Sequence, residues 1–166
     1  MNTLVEERVI RNSLDHDVLH ASARQMAASG GGLPAVIAGL QAEFGLAEEA
    51  ASEVAAKVFG LQTMSLAELS EHSLALSLAP FSDFVRRHVL VLEAPDGYLV
   101  AAPNPLDGAL RDWLEGVVPL ARRLTWRLAS ASVLAAYLAR EESRVRALDS
   151  GFGGESSEIT HPRFVN

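Results

Sequence analysis

The sequence predicts an α+β protein, in which an N-terminal helical arm and a helical hairpin precede a β-β-α-β-α unit with a small three-stranded sheet. Two apolar runs, residues 89–94 and 98–102, flank the turn tripeptide Pro95-Asp96-Gly97, which is typical of a β-hairpin. Residues 122–128 alternate between apolar and basic or polar side chains, as a half-exposed strand does. Elsewhere apolar residues recur three and four positions apart, the helical period.

The first 29 residues predict the helical arm. Thr3 and Glu6 have the spacing of a capping box, which opens a short helix, and a second helix is expected to end near Ala28. Residues 30–32 are three consecutive glycines, whose backbone freedom favours neither helix nor strand. A break there separates the arm, residues 1–29, from the rest of the chain.

The helical hairpin is predicted within a subdomain of residues 33–72. Pro34 suits the start of its first helix and Gly45 the end. A second helix is expected over residues 46–59, with Gly60 ending it. Three residues spaced four apart are expected on its inward face: Ala50, Val54 and Val58.

The α+β unit is predicted over residues 73–148. Just before it, Ser65 and Glu68 form a capping-box pattern for a single-turn helix. After the β-hairpin, Asn104 is expected to cap a helix that has Pro105 at its first position. One apolar face of that helix is expected to hold Leu106, Leu110, Trp113, Leu114 and Val117.

The end of the chain is predicted to hold one more helix and then a tail. Ser130 is expected to cap the helix, whose apolar face ends near Leu138. Residues 149–166 begin with the composition of a flexible linker. We expect this tail to lead toward a further domain downstream.

Composition excludes several classes of function. The 166 residues carry 21 acidic and 14 basic side chains, a formal charge of −7, whereas phosphate contacts in a nucleic-acid-binding protein need clustered Lys and Arg. The chain has no cysteine, which removes disulfides, zinc–thiolate sites and thiol catalysis. No apolar run approaches the length of a membrane span. We therefore expect a cytoplasmic protein with no nucleic-acid partner and no direct insertion into a membrane.

Candidate catalytic, cofactor and metal residues are not found by spacing. The glycines at 30–32 lack the GxxxxGK[ST] pattern of a phosphate loop, because no Lys-Ser or Lys-Thr pair occurs in the chain. His16 and His20 lie four apart, beside Asp15 and Asp17, which suits two metal ligands on one helical turn, although exposed helix residues show the same spacing. No nucleophile–base or paired-carboxylate arrangement occurs. The sequence thus predicts no enzyme, no cofactor and no metal site.

Three arginines of the predicted last strand are the candidate docking residues: Arg122, Arg123 and Arg127. Charges on an edge strand discourage aggregation, which is one interpretation of them. The other is a docking strip for an acidic partner, because arginine is well suited to protein interfaces. Both interpretations stay open at the level of sequence.

Two segments resemble a known family. The exit of the helical hairpin reads FGLQTMSL, and residues 78–105 read LAPFSDFVRRHVLVLEAPDGYLVAAPNP. Both are similar to the N-terminal domain of the ATPases of type II secretion and type IV pilus assembly, the "protein E" family. The positions of that family's "VA…DP" signature are taken here by Val100, Ala101, Asn104 and Pro105.

The resemblance, which spans residues 33–148, implies a docking role. Such a domain precedes the ATPase core in the same chain and attaches the hexameric motor to a cytoplasmic domain of an inner-membrane partner. It would place the protein in the cytoplasm, peripheral to the inner membrane through that partner. The same module also occurs attached to membrane glycosyltransferases. A glycosyltransferase therefore stays open as the host protein.

A subset of this family binds cyclic di-GMP through a pattern resembling RLGxxL…GL…LxxxLxxQ. Here Gly32-Leu33-Pro34 stands where Arg-Leu-Gly is expected, and the position of the terminal glutamine falls near Val58. These departures remove the arginine and glutamine contacts. Cyclic dinucleotide sensing is therefore the alternative function, and tight binding is not expected.

Overall fold

The computed structural model describes the backbone of residues 3–160 and the side chains of residues 15–151. Its helices are α1 (Thr3–Ala28), α2 (Leu33–Phe44), α3 (Glu48–Val58), α4 (Leu66–Ser70), α5 (Phe81–Arg87), α6 (Gly108–Val117) and α7 (Ala131–Thr160). Its strands are β1 (Leu90–Ala94), β2 (Gly97–Ala102) and β3 (Arg123–Leu128), which form one sheet in the order β1-β2-β3. The predicted α+β class, with a small three-stranded sheet, is confirmed.

The central strand of the sheet is β2. It pairs antiparallel with β1 and parallel with β3, and all six of its residues are buried. Pro95 and Asp96 form the turn between β1 and β2, as the sequence predicts. Gly97 is not a left-handed turn residue but the first residue of β2, with φ +155°. It faces Arg123 in the register of β3, so its lack of a side chain allows the two backbones to approach closely.

Two hydrophobic cores occupy the described part of the chain. The larger core joins the sheet to α4, α5, α6 and α7, and its largest enclosed side chains include Phe84, Leu92 and Leu114. The smaller core lies among α1, α2 and α3, where Ala23 of α1 is fully buried. Leu128, at the end of β3, belongs to the smaller core, so it joins the two. The helical arm therefore packs on its own hairpin.

Two helices are longer than predicted. The arm is one continuous helix, α1, because no glycine or proline between residues 3 and 28 ends it. The side chains of Thr3 and Glu6, the predicted capping box, lie outside the described residues. Helix α7 continues to Thr160 through the predicted linker of residues 149–166, since Pro162 is the first proline after Pro119. Residues 161–166 lie outside the described part, and the predicted domain boundaries stay a prediction.

Two predicted local features are wrong in detail. Of the three predicted inward residues of α3, Val54 is buried and the half-buried Val58 packs against the smaller core, whereas Ala50 is exposed. The buried residues of α3 are Ala51, Ser52, Val54, Ala55 and Ala56. Helix α6 begins three residues later than predicted, because Asp107 and not Asn104 caps it by accepting a hydrogen bond from the Ala109 N–H at 3.0 Å. Leu106 consequently lies outside the helix and is exposed.

The other capping predictions are confirmed. Ser65 and Glu68 form both hydrogen bonds of a capping box, at 2.7 and 3.2 Å. Gly45 ends α2 with φ 64°, and Ser130 Oγ accepts a hydrogen bond from the Val133 N–H at the start of α7. Across the described residues, no helix combines the length and the apolar character needed to cross a bilayer.

Candidate functional site

The three predicted docking arginines do not form one cluster. Arg122 and Arg123 are exposed at the start of β3, whereas Arg127 is half-buried near its end. Arg123 and Arg127 are separated by about 13 Å at the usual rise of a strand. The guanidinium of Arg127 donates a hydrogen bond to the carbonyl oxygen of Trp126 at 3.2 Å. Arg122 and Arg123 are thus consecutive exposed residues at the start of the strand, and Arg127 lies near its other end.

The outer edge of β3 is covered at one end. Leu128 donates its N–H to Gln62 O at 2.8 Å and accepts from the Met64 N–H at 2.9 Å. Within the described part of the chain, residues 62–64 are the backbone partner of β3 on the side away from β2. The start of β3, which carries Arg122 and Arg123, is therefore an open edge of the sheet.

An exposed leucine lies beside this open edge. Leu120, in the loop between α6 and β3, is fully exposed, two residues before Arg122. A solitary surface leucine is ordinary, but arginine is enriched at protein interfaces, and Arg122 and Arg123 follow Leu120 closely in the chain. Leu120 lies before the apolar alternation that begins at Leu124, so spacing along the sequence does not indicate it.

The structure also forms an acidic cleft that spacing along the sequence does not reveal. It has a volume of about 450 Å³ and lies between α3, the connection before α4, and the start of α7. Its polar wall is made of Glu49, Glu53, Glu68, Ser52, Ser65 and Ser130, and its apolar wall includes Met64, Leu66, Leu128 and Val133. We call these residues the acidic cleft.

Hydrogen bonds hold two of its carboxylates in place. Glu49 Oε1 accepts from Ser132 Oγ at 2.7 Å, and this bond is the main reason that the pKa of Glu49 lies below its ordinary value. Glu68 Oε2 accepts from the Ser65 N–H, which likewise lowers the pKa of Glu68. Beside the cleft, Glu48 Oε1 accepts from the Ala131 N–H at 2.8 Å. Glu48 and Glu49 place negative charge at the N-terminus of α3, where it complements the helix dipole, and they also join α3 to α7.

One buried hydroxyl in the cleft has no partner. Ser52 is 3% exposed, and its Oγ makes no hydrogen bond to any described residue. A buried hydroxyl without a hydrogen bond is costly, so native proteins rarely retain one. Ser52 is also one of the residues that line the cleft.

The histidine pair lies on α1, which lines neither the acidic cleft nor the open edge. His16 Nε2 and His20 Nε2 are 3.2 Å apart, and burial followed by the neighbouring His16 lowers the pKa of His20. Among the described side chains no group of three or more His, Cys, Asp or Glu residues is arranged to hold a metal ion. The pair thus supplies two ligands of the three or four that a protein metal site has.

Comparison with known proteins gives little similarity. No family model matches the sequence, and no curated protein matches it. A solved structure of MshE with cdg matches with a TM-score of 0.42 and 16% sequence identity, covering 63% of this chain and 84% of that chain. At this similarity the match describes a partial likeness of the backbone.

Proposed function

We propose that this chain is a non-catalytic docking domain, N-terminal to the motor of a type II secretion or type IV pilus assembly ATPase. It would couple that motor to a cytoplasmic domain of an inner-membrane partner and remain peripheral to the membrane. The proposal is supported by the order of elements that the resemblance implies: paired helices, a β-hairpin, a helix, a strand and a last helix. Two of its signature positions, Val100 and Ala101, are buried near the end of β2, and the other two, Asn104 and Pro105, follow in the connection to α6.

The roles of the acidic side chains support a non-catalytic domain. Asp107 caps α6, Glu68 completes the capping box of α4, and Glu49 ties α3 to α7. Carboxylates with such structural roles are positioned for stability rather than for proton transfer. The proposal therefore assigns catalysis to the downstream ATPase domain of the same chain.

We place the partner contact at the open edge of the sheet. Arg122, Arg123 and the exposed Leu120 are adjacent there, and Arg127 extends the same strand. Arginine is enriched at protein interfaces and among the residues that contribute most of the binding free energy. The partner would present an acidic surface with an apolar recess.

A pull-down with the cytoplasmic domain of the membrane partner tests this placement. Reversing all three strand arginines (R122E/R123E/R127E) is expected to weaken retention at least about tenfold, since each interfacial charge pair contributes about 1 kcal/mol. The matched control reverses three other exposed arginines (R24E/R144E/R146E) and is expected to retain binding within about threefold of the unmodified chain. Equal losses in both variants would refute the strip, and failure of the unmodified chain to bind would refute the docking role.

Cyclic dinucleotide sensing remains the alternative function. Lys57 is the single basic residue of α2 and α3, which also carry Glu43, Glu48, Glu49 and Glu53. The two phosphates of cyclic di-GMP would be repelled by the net negative charge of α2 and α3. Calorimetry with cyclic di-GMP is therefore expected to show no micromolar binding. Micromolar affinity would establish the alternative instead. A GxxxxGK[ST] loop downstream in the same gene would distinguish the ATPase host from a glycosyltransferase host.

A further inference from the structure

We propose that the acidic cleft binds an arginine side chain from a basic segment of a partner protein. This surface is separate from the arginine-bearing start of β3 and does not depend on the motor assignment. Three carboxylates and one unpartnered hydroxyl line one small cleft, and no arginine or lysine of the described residues forms an ion pair with Glu49, Glu53 or Glu68.

Hydrogen bonds orient two of the three carboxylates, and each of these two can accept a further hydrogen bond. Glu49 accepts its side-chain bonds through Oε1, and Glu68 accepts through Oε2, so each has a second oxygen without a hydrogen bond to the described residues. Glu53 makes no side-chain hydrogen bond to these residues. A carboxylate held by its neighbours loses little conformational entropy when it accepts a further donor. The cleft is therefore preorganised for a cationic donor.

The remaining walls favour arginine among the cations. Met64, Leu66 and Val133 are apolar and can cover the aliphatic stem of a long side chain. The guanidinium has five donors in a planar fork, which suits several carboxylates better than a single ammonium does. The unpartnered Ser52 Oγ accepts one more N–H from such a group.

Among the described residues, no cationic side chain forms an ion pair with the carboxylates of the acidic cleft. The pKa of Glu68 is lowered mainly by the hydrogen bond from the Ser65 N–H, and the charge of Arg127 lowers it further. The Arg127 guanidinium nevertheless donates to Trp126 O and forms no ion pair in the described part of the chain. The volume of about 450 Å³ lies in the range of sites that enclose a ligand, and it exceeds a single side chain. A partner segment with an arginine and a neighbouring small residue fits these dimensions.

Residue-resolved NMR titration of the full chain tests the proposal. The probe is the peptide acetyl-Ala-Arg-Ala-amide, and its control replaces arginine with citrulline, which has the same shape without the charge. We expect shifts confined to the backbone amides of the cleft, with a dissociation constant of about 1 mM, and none with the citrulline peptide. Equal shifts with both peptides, shifts spread over all acidic surfaces, or no shifts up to about 10 mM would overturn it.

Matched variants separate the cleft from general electrostatics. Glu53→Gln is expected to weaken binding about tenfold, as the loss of a charge-assisted hydrogen bond does, whereas the exposed Glu115→Gln on α6 should change it less than about twofold. Ser52→Ala is expected to weaken binding about threefold without loss of folding, because its hydroxyl makes no bond within the described residues. Equal effects of Glu53→Gln and Glu115→Gln would overturn the proposal.

Discussion

Replacing Gly97 with alanine tests how closely β2 and β3 approach at their first paired residues. A Cβ atom at this position would lie 2.7 Å from the backbone nitrogen of Arg123 and 2.9 Å from its carbonyl carbon. Gly97 also has φ +155°, which an alanine rarely adopts. The backbone of β3 cannot rotate away as a flexible side chain can, so the two strands must separate.

The loss in the free energy of unfolding follows from the steric clash with Arg123 and from the backbone conformation at Gly97. An unfavourable backbone conformation costs about 1–3 kcal/mol, and forcing an extra methyl group into a packed region costs a similar amount. Gly97→Ala is therefore expected to lower the free energy of unfolding by about 4 kcal/mol. For a domain of this length, that loss corresponds to a fall in Tm of about 8–16 °C.

Urea denaturation followed by circular dichroism measures the loss. Gly108→Ala is the matched control, because nothing lies within 4 Å of a Cβ at Gly108, where α6 begins. That substitution is expected to leave stability unchanged or to raise it by up to about 1 kcal/mol. A loss of less than about 1 kcal/mol for Gly97→Ala would refute the close approach of the strands.

Two further predictions concern the hydrogen-bonded carboxylates. Ser65→Ala removes the side-chain half of the capping box of α4 and is expected to lower the free energy of unfolding by about 1 kcal/mol in the same urea assay; an unchanged midpoint would contradict the observed cap. Acid should also destabilise the protein through Glu49, because a pKa lowered on folding contributes stability that is present above the ordinary value of 4.5 and lost as pH falls through the lower, folded value. Thermal melts between about pH 6 and about pH 3 should therefore show a shallower decline for Glu49→Gln than for the unmodified chain, and parallel declines would rule out this contribution.

Local signals predicted much of the fold. The turn at Pro95-Asp96, the capping box of Ser65 and Glu68, and the end of α2 at Gly45 each depend on residues within four positions of one another. Such interactions are set by backbone geometry and short-range hydrogen bonds, so they can be recognised before the tertiary structure is known.

The errors occurred where two local solutions compete. Asn104 and Asp107 are both good helix caps, and packing of α6 on the larger core selects Asp107. Ala50 and Ala51 both fit a helical face, and contact with α2 decides that Ala51 is buried. The glycines and serines after residue 149 weaken a helix but do not end it, which is why α7 extends beyond the predicted boundary.

The sequence by itself determined the α+β class, the order of the elements and the position of the basic strand. Only the tertiary structure assembled the acidic cleft, since Glu49 and Ser132 are 83 residues apart and their hydrogen bond requires α3 to meet α7. The same packing left Ser52 Oγ without a partner and placed it in the cleft wall. No spacing rule carries such information, because the contacts are made by side chains from separate elements that the folded chain brings together.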